Sequence, residues 1–330
     1  MHLTLRKWIA VNSVLLALLA AAMVAAMAMG SGRVTLSDAM GADSKARAIL
    51  FLARLPRAIL AALVGMALAS AGGAFQALLR NPLADPFILG VSGGAALGSV
   101  AAVGLHLPFA WISAAAFLGA AVAMLVIFAI AGVRRGLDST TLLLTGVIFN
   151  AFCFALILFI NAVVTMEEAY QIIFLLIGNL EVTDMGTVGV VAIFVIAGFG
   201  TLCLYSGRMN LLSAGDEDAM AMGVDIKRLR AIVFVAASVM VGAAVAASGL
   251  IGFVGLFIPH IMRLLTGSDN RLLIPASGLA GAAFLVAADA AARTLLMNTG
   301  YATQLPVGVI TALVGAPLFM VLLRKQMRKA

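Results

Sequence analysis

The residues able to do chemistry in this chain are few, and most arrangements among them fail on spacing. Gly90-Val-Ser-Gly-Gly94 fits the GxSxG pattern of a serine nucleophile. That pattern needs a strand-to-helix elbow and a partner base, and in a chain with 33 glycines a single match carries little weight. His106 and His260 lack the spacing of metal ligands, and the two cysteines, Cys153 and Cys203, lie inside apolar runs where a thiol serves as a small hydrophobe. No metal site is expected. No Gly-rich phosphate loop ending in Lys and Ser or Thr exists, so the chain hydrolyses no nucleotide by that chemistry. The one ionisable residue deep in an apolar run is Asp289, four residues before Arg293 and placed for a helical ion pair. Proton- or sodium-driven transport usually wants more such groups. An ion-coupled secondary transporter is therefore the alternative reading, and not the preferred one.

The elements that hold these residues are membrane helices. Hydrophobic residues make up 64% of the 330 and charged ones 11%; the mean hydropathy is +1.15. Such a composition excludes a water-soluble globule. The net charge of +7 reports loop sidedness in such a chain and gives no reason to expect nucleic acid. A spanning helix takes roughly 20 apolar residues, so about ten crossings fit one all-α polytopic domain over residues 1–330. The expected spans run from about 8–29, 57–79, 90–105, 111–133, 139–162, 186–205, 229–248, 252–265, 272–297 and 305–323. A segment carrying Glu167, Glu168, Glu181 and Asp184 has an apolar core too short to cross, and reads as a surface or re-entrant helix. In the second span Gly65, Ala69 and Gly73 recur at every fourth position, which lets another helix backbone approach closely. That span ends at Arg80-Asn-Pro-Leu-Ala-Asp-Pro86, a backbone break tolerated at membrane depth only where protein or a water-filled cavity surrounds it.

Of the 21 lysines and arginines, six fall on one side of this topology: Arg33, Lys45, Arg47, Arg54, Arg57 and Arg293. The rest share the other side with both termini, which makes the termini cytoplasmic. Five of the six cluster in the external loop 31–53 and the helix start it feeds. They suit lipid headgroups or an acidic soluble partner whose encounter they would steer. On the cytoplasmic side, Ser213 can cap a short helix with Asp216, Glu217 and Asp218 in its first turn and Gly223 closing it. Ala219, Met220 and Met222 give it an apolar patch. It is either a connector or a knob for a cytoplasmic partner.

Several runs together carry a resemblance: RLPR from Arg54, QALLRNPLADPFILGVSGGA, GLIGFVGLFIPHIMRLL from Gly249, GLAGAAFLVAADAAAR ending at Arg293, and LPVGVITALVGAPLF from Leu305. The chain resembles the FecCD family of permeases, the transmembrane subunits of binding-protein-dependent ABC importers for iron siderophores, haem and cobalamin. The resemblance implies a type II ABC importer permease fold with ten helices per subunit, in a bacterial inner membrane. It implies a homodimer enclosing the pathway, two cytoplasmic ABC ATPases that bind the ATP, and one periplasmic binding protein; no cofactor resides in this chain. Arg54, Arg57 and Arg293 match the family's docking arginines, which pair with glutamates of the binding protein. The helix of Ser213, Asp216, Glu217, Ala219, Met220, Met222 and Gly223 matches its coupling element on the ATPase. Ser139 and Thr140 match polar positions that narrow the pathway at the cytoplasmic side, though the same hydroxyls could simply cap the fifth helix. Gln304 departs from the Glu that many relatives carry before Leu-Pro.

Overall fold

The computed structural model describes residues 3–29, 44–132, 139–180, 184–296 and 304–327. Within them the chain is helical throughout, in the order α1 (Leu5–Ala28), α2 (Ser44–Ala48), a π-helical turn (Ile49–Arg54) running into α3 (Leu55–Leu78), α4 (Val91–Gly104), α5 (Phe109–Gly132), α6 (Ser139–Val163), α7 (Met166–Ile177), α8 (Met185–Ala214), α9 (Asp216–Ala221), α10 (Ile226–Ser248), α11 (Val254–Thr266), α12 (Asn270–Thr294) and α13 (Val307–Met327). Short polar side chains start many of these helices by accepting otherwise orphaned backbone N–H groups. Thr4 accepts from Lys7, Asp184 from Thr187, Asp225 from Arg228 and Asp269 from Arg271.

Seven helical stretches are long and apolar enough to cross a membrane, and α4, α11 and α13 supply three shorter apolar helices. Together they account for the ten crossings expected. The α7 helix has 12 residues and cannot cross. Its exit is tied down by backbone bonds: Asn179 N–H donates to the Ser248 carbonyl, Leu250 N–H to Leu175 and Gly308 N–H to Gly178.

The bundle has an inner and an outer layer. In α3, α10 and α12 two thirds or more of the spanning stretch is buried within the protein, against less than a third in α1, α5, α6 and α8. Buried α3 crosses α12 where Gly65 faces Gly281, and a methyl on either glycine would strike the opposite backbone. It crosses α11 in the same way through Gly72 and Gly255. The small-residue stripe therefore works at Gly65 and Ala69 as expected, whereas the second close approach falls at Gly72 rather than Gly73. Helix association in lipid depends on such backbone proximity, because apolar side chains gain nothing by leaving apolar tails. The outer helices expose large side chains such as Phe152, Phe159, Leu204 and Leu313, surface for lipid or a second subunit.

The proline break after α3 is held by protein. Asn81 Oδ1 accepts from Leu83 N–H and Asp85 Oδ1 from Phe87 N–H, while Ala84, Asp85 and Leu89 are buried. Arg80 turns the chain in the left-handed region at φ 50°, and Gly90 at φ 80° admits it to α4.

Candidate functional site

Polar side chains concentrate at the two ends of the bundle. At the end holding the C-terminus of α1, the start of α3 and the end of α12, Asp289 is 1% exposed and lies between two arginines. Arg57 Nε reaches its two carboxylate oxygens at 3.0 and 3.1 Å, and Nη2 reaches Oδ1 at 2.8 Å. Arg293 Nε stands 3.0 Å from Oδ2 in the i,i+4 pair foreseen from the sequence. Arg57 Nη1 also donates to Gln304 Oε1 at 3.2 Å, so the glutamine at the departing position joins the cluster. Arg54 and Arg293 extend to carbonyls at the end of α1: Arg54 Nη1 to Met27, Arg293 Nη1 to Met29 and Nη2 to Ala26.

These are the three arginines read as docking groups. The structure brings them together but turns them inward, each no more than 8% exposed. They join α1, α3 and α12 into one corner. Of the external loop 31–53, the part up to residue 43 lies outside the described residues.

The opposite end carries the short helix. Ser213 does not cap it, contrary to the sequence expectation. Helix α8 runs to Ala214, well beyond Tyr205, and Ser213 Oγ donates to the Met209 carbonyl within its last turn. The break falls at Gly215, so α9 has six residues rather than about nine. Its closure is as expected: Gly223 at φ 80° lets its own N–H reach the Met220 carbonyl and the Val224 N–H reach Ala219, a Schellman ending. Ala219 is buried against the bundle, whereas Met220 and Met222 are exposed, with Glu217 and Asp218 beside them.

Asp216 was expected only to favour the helix dipole. It accepts from Arg230 Nη2 at 3.1 Å on both oxygens, and it pairs with Arg80 from the proline break, whose Nε donates to the Leu212 carbonyl at 2.8 Å. Helix α9 is thus joined to the start of α10 and the end of α3. Nearby, Asp269 Oδ2 accepts from Arg271 Nη2 at 2.7 Å and Oδ1 from Asn210 at 2.7 Å. The Arg271 guanidinium foremost, with Asn210 and the Arg271 backbone, holds the Asp269 carboxyl down to about 2.

The gate residues open α6. Thr140 is exposed in its first turn, and the Ser139 side chain lies outside the described residues. At the end of the bundle opposite α9 a cavity of about 510 Å³ lies between α7 and α10, lined among others by Glu167, Tyr170, Gln171, Asp184 and Ser248. Ser92 of the GxSxG match is buried with its Oγ 3.4 Å from the Pro86 carbonyl, which is no exposed nucleophile. Among the described residues no group of three or more His, Cys, Asp or Glu is placed to hold a metal ion.

A two-layered bundle of apolar helices, with a short helix displayed on one of its ends, is the architecture of a multi-pass membrane protein. Comparison with known proteins makes this specific. The FecCD transport family matches residues 15–325. The cobalamin import system permease protein BtuC of Halobacterium salinarum is 43% identical over 285 residues, 86% of this chain and 75% of that one. The hemin transport system permease protein HmuU of Yersinia pestis is 37% identical over 279 residues, 83% of this chain and 82% of that one. A solved metal-chelate type ABC transporter in an inward-facing conformation superposes with a TM-score of 0.86 at 31% identity, covering 95% of this chain and 98% of that one. The chain belongs to the FecCD transport family, and it is a permease of the ABC importer type.

Proposed function

We propose that this subunit works as a homodimer in a bacterial inner membrane, with two cytoplasmic ATPases below and one periplasmic binding protein above, and that its cargo is a metal-bearing macrocycle, cobalamin first and haem second. The observation that carries the cargo is the 43% identity to a permease named for cobalamin, with a haem permease behind it. Ferric siderophores, which the family resemblance also allows, stand behind these two. Uptake of radiolabelled cyanocobalamin and of hemin by cells lacking this gene tests the assignment. Loss of cobalamin uptake alone is expected, and retained uptake of both refutes it.

The geometry suggests how nucleotide hydrolysis reaches the cargo. Met220 and Met222 form the apolar tip that seats on the ATPase. Asp216 transmits displacement of that tip to Arg230 at the start of α10. Helix α10 is a rigid inner rod whose far end, Ser248 and Gly249, both binds the exit of α7 and lines the external cavity. Motion at one end therefore shifts the wall of a chamber at the other, and Ser139 and Thr140 at the start of α6 close the cytoplasmic side. The corner of Arg54, Arg57 and Arg293 is where carboxylates of the binding protein dock. Ion-coupled transport has weaker support, because Asp289, the carboxylate buried between α3 and α12, is held by two arginines rather than poised to release a proton.

A further inference from the structure

The end of the bundle that carries α9 also holds a cavity of about 710 Å³ between α1, α3, α8, α11 and α12, with Lys7, Gln76, Arg80, His260, Arg263 and Asp269 among its lining residues. The transport mechanism makes no use of it. One feature of its wall suits a ligand, the oriented guanidinium of Arg263, whereas the unpartnered nitrogens beside it have essentially no accessible surface. His260 is 3% exposed, yet among the described residues neither ring nitrogen has a hydrogen-bond partner. Arg263, one helical turn on, gives Nη2 to Gln76 Oε1 at 3.2 Å, while its buried Nε has no partner. Gln76 in turn is fixed by donating to the Leu256 carbonyl at 3.1 Å, so the guanidinium is oriented rather than free. Leaving buried donors unsatisfied costs on the order of 1 to 3 kcal/mol each.

The charge in the cavity points the same way. Asp269 is occupied by Arg271 and Asn210, and Arg80 is paired with Asp216. Lys7 donates only to a neutral acceptor, the Thr266 carbonyl at 2.7 Å. Among the described residues Lys7 and Arg263 therefore face the cavity with no carboxylate in ion-pair contact. A planar guanidinium and an ammonium lining one chamber suit an acceptor-rich anion, and phosphate above all. Basic pockets between helices on the cytoplasmic side of a membrane protein commonly take anionic lipid headgroups.

We infer that this cavity binds a phosphate group, held by Arg263 and Lys7, and supplied by an anionic lipid headgroup or a soluble phosphate anion. The site staples α1 to α11 and α12 and is independent of the cargo assignment. Native mass spectrometry of the purified full-length chain tests it with three probes: dioleoylphosphatidylglycerol, dioleoylphosphatidylcholine and inorganic phosphate. Retention of phosphatidylglycerol about tenfold above phosphatidylcholine is expected, a difference of about 1.4 kcal/mol. Arg263→Gln and Lys7→Gln should each erase that preference, the second at the rim where folding is least at risk. Binding of inorganic phosphate without lipid, with the same dependence on both residues, identifies the source as soluble. Binding of none of the probes, or binding unchanged in Lys7→Gln and in an Arg263→Gln protein that still elutes as a single species, overturns the site.

Discussion

Asp289 and Arg57 meet across 232 residues of chain in a two-pronged ion pair, buried where α3 and α12 converge. Removing one partner of a buried pair leaves a charge the interior cannot solvate, at a cost of about 3–5 kcal/mol. Asp289→Asn should therefore lower the thermal midpoint of the purified permease more than any single change on the outer helices. Replacing Arg57, Asp289 and Arg293 together by apolar side chains, so that no guanidinium is left facing a missing carboxylate, should recover much of the loss. A combined variant whose loss equals the sum of the single losses would show that the cluster does not act as a unit.

The crossing at Gly65 and Gly281 gives a second prediction with a different cause. A side chain at either position must push two backbones apart, and overpacking typically costs about 1–3 kcal/mol. Gly65→Leu should destabilise by that amount or more, while Gly189→Leu, at a helix position where an added methyl would meet nothing within 4 Å, should be neutral. Thermal unfolding of the two variants side by side decides it; equal effects would mean that close packing of α3 is not what holds the bundle.

Acidity separates two carboxyls at the α9 end, both in turns outside the spanning helices. Burial pushes the Asp85 carboxyl up from 3.8 to about 6, partly offset by the Phe87 N–H. A raised carboxyl favours the folded state below about pH 4, and that advantage is lost as pH climbs through 6. Asp85→Asn keeps the acceptor for Phe87 and should stabilise the protein at pH 7, by up to about 3 kcal/mol. Asp269 has the opposite sign. Its pKa of about 2 means that its contribution is complete above about pH 4 and disappears as pH falls through 2. Asp269→Asn should remove that acid-dependent loss. Unfolding midpoints between pH 2 and 8 check both signs, and parallel curves for wild type and variants would contradict them.

How much of this was legible in the sequence depends on chain separation. The Asp289 and Arg293 pair could be read because four residues on a helix make neighbours, and Gly223 could be read because a helix end needs a left-handed residue there. Arg57 could not be added, since nothing local says which distant helix it meets. The docking arginines carried an exposed reading for the same reason. The end of α8 was lost to polarity: Ser206 to Ala214 looks like loop, yet Leu202, Ser206, Met209 and Leu212 are all buried at spacings of four and three. That residual period was the signal that the helix continues and that Ser213 caps nothing. Asp216 hid its role because its partners, Arg80 and Arg230, looked like membrane-sidedness charges.

The coupling route makes the last prediction. If α9 passes ATPase motion to α10 through Asp216, then Asp216→Asn should leave ATPase subunits bound while weakening the mechanical link, because the contact surface at Met220 and Met222 is untouched. Met220→Asp with Met222→Asp should do the reverse, placing charge on the exposed apolar tip and releasing the ATPase altogether. In proteoliposomes the first variant is expected to hydrolyse ATP near the wild-type rate with transport reduced about tenfold, a loss of about 1.4 kcal/mol of coupling. The second should yield no co-purifying ATPase. The two failures are distinguishable because one spares assembly and the other abolishes it. If Asp216→Asn lost the ATPase as well, the carboxylate would be serving assembly instead, through the fold of α9 onto Arg80 and Arg230, and α10 would lose its place as the rod that carries force to the external cavity.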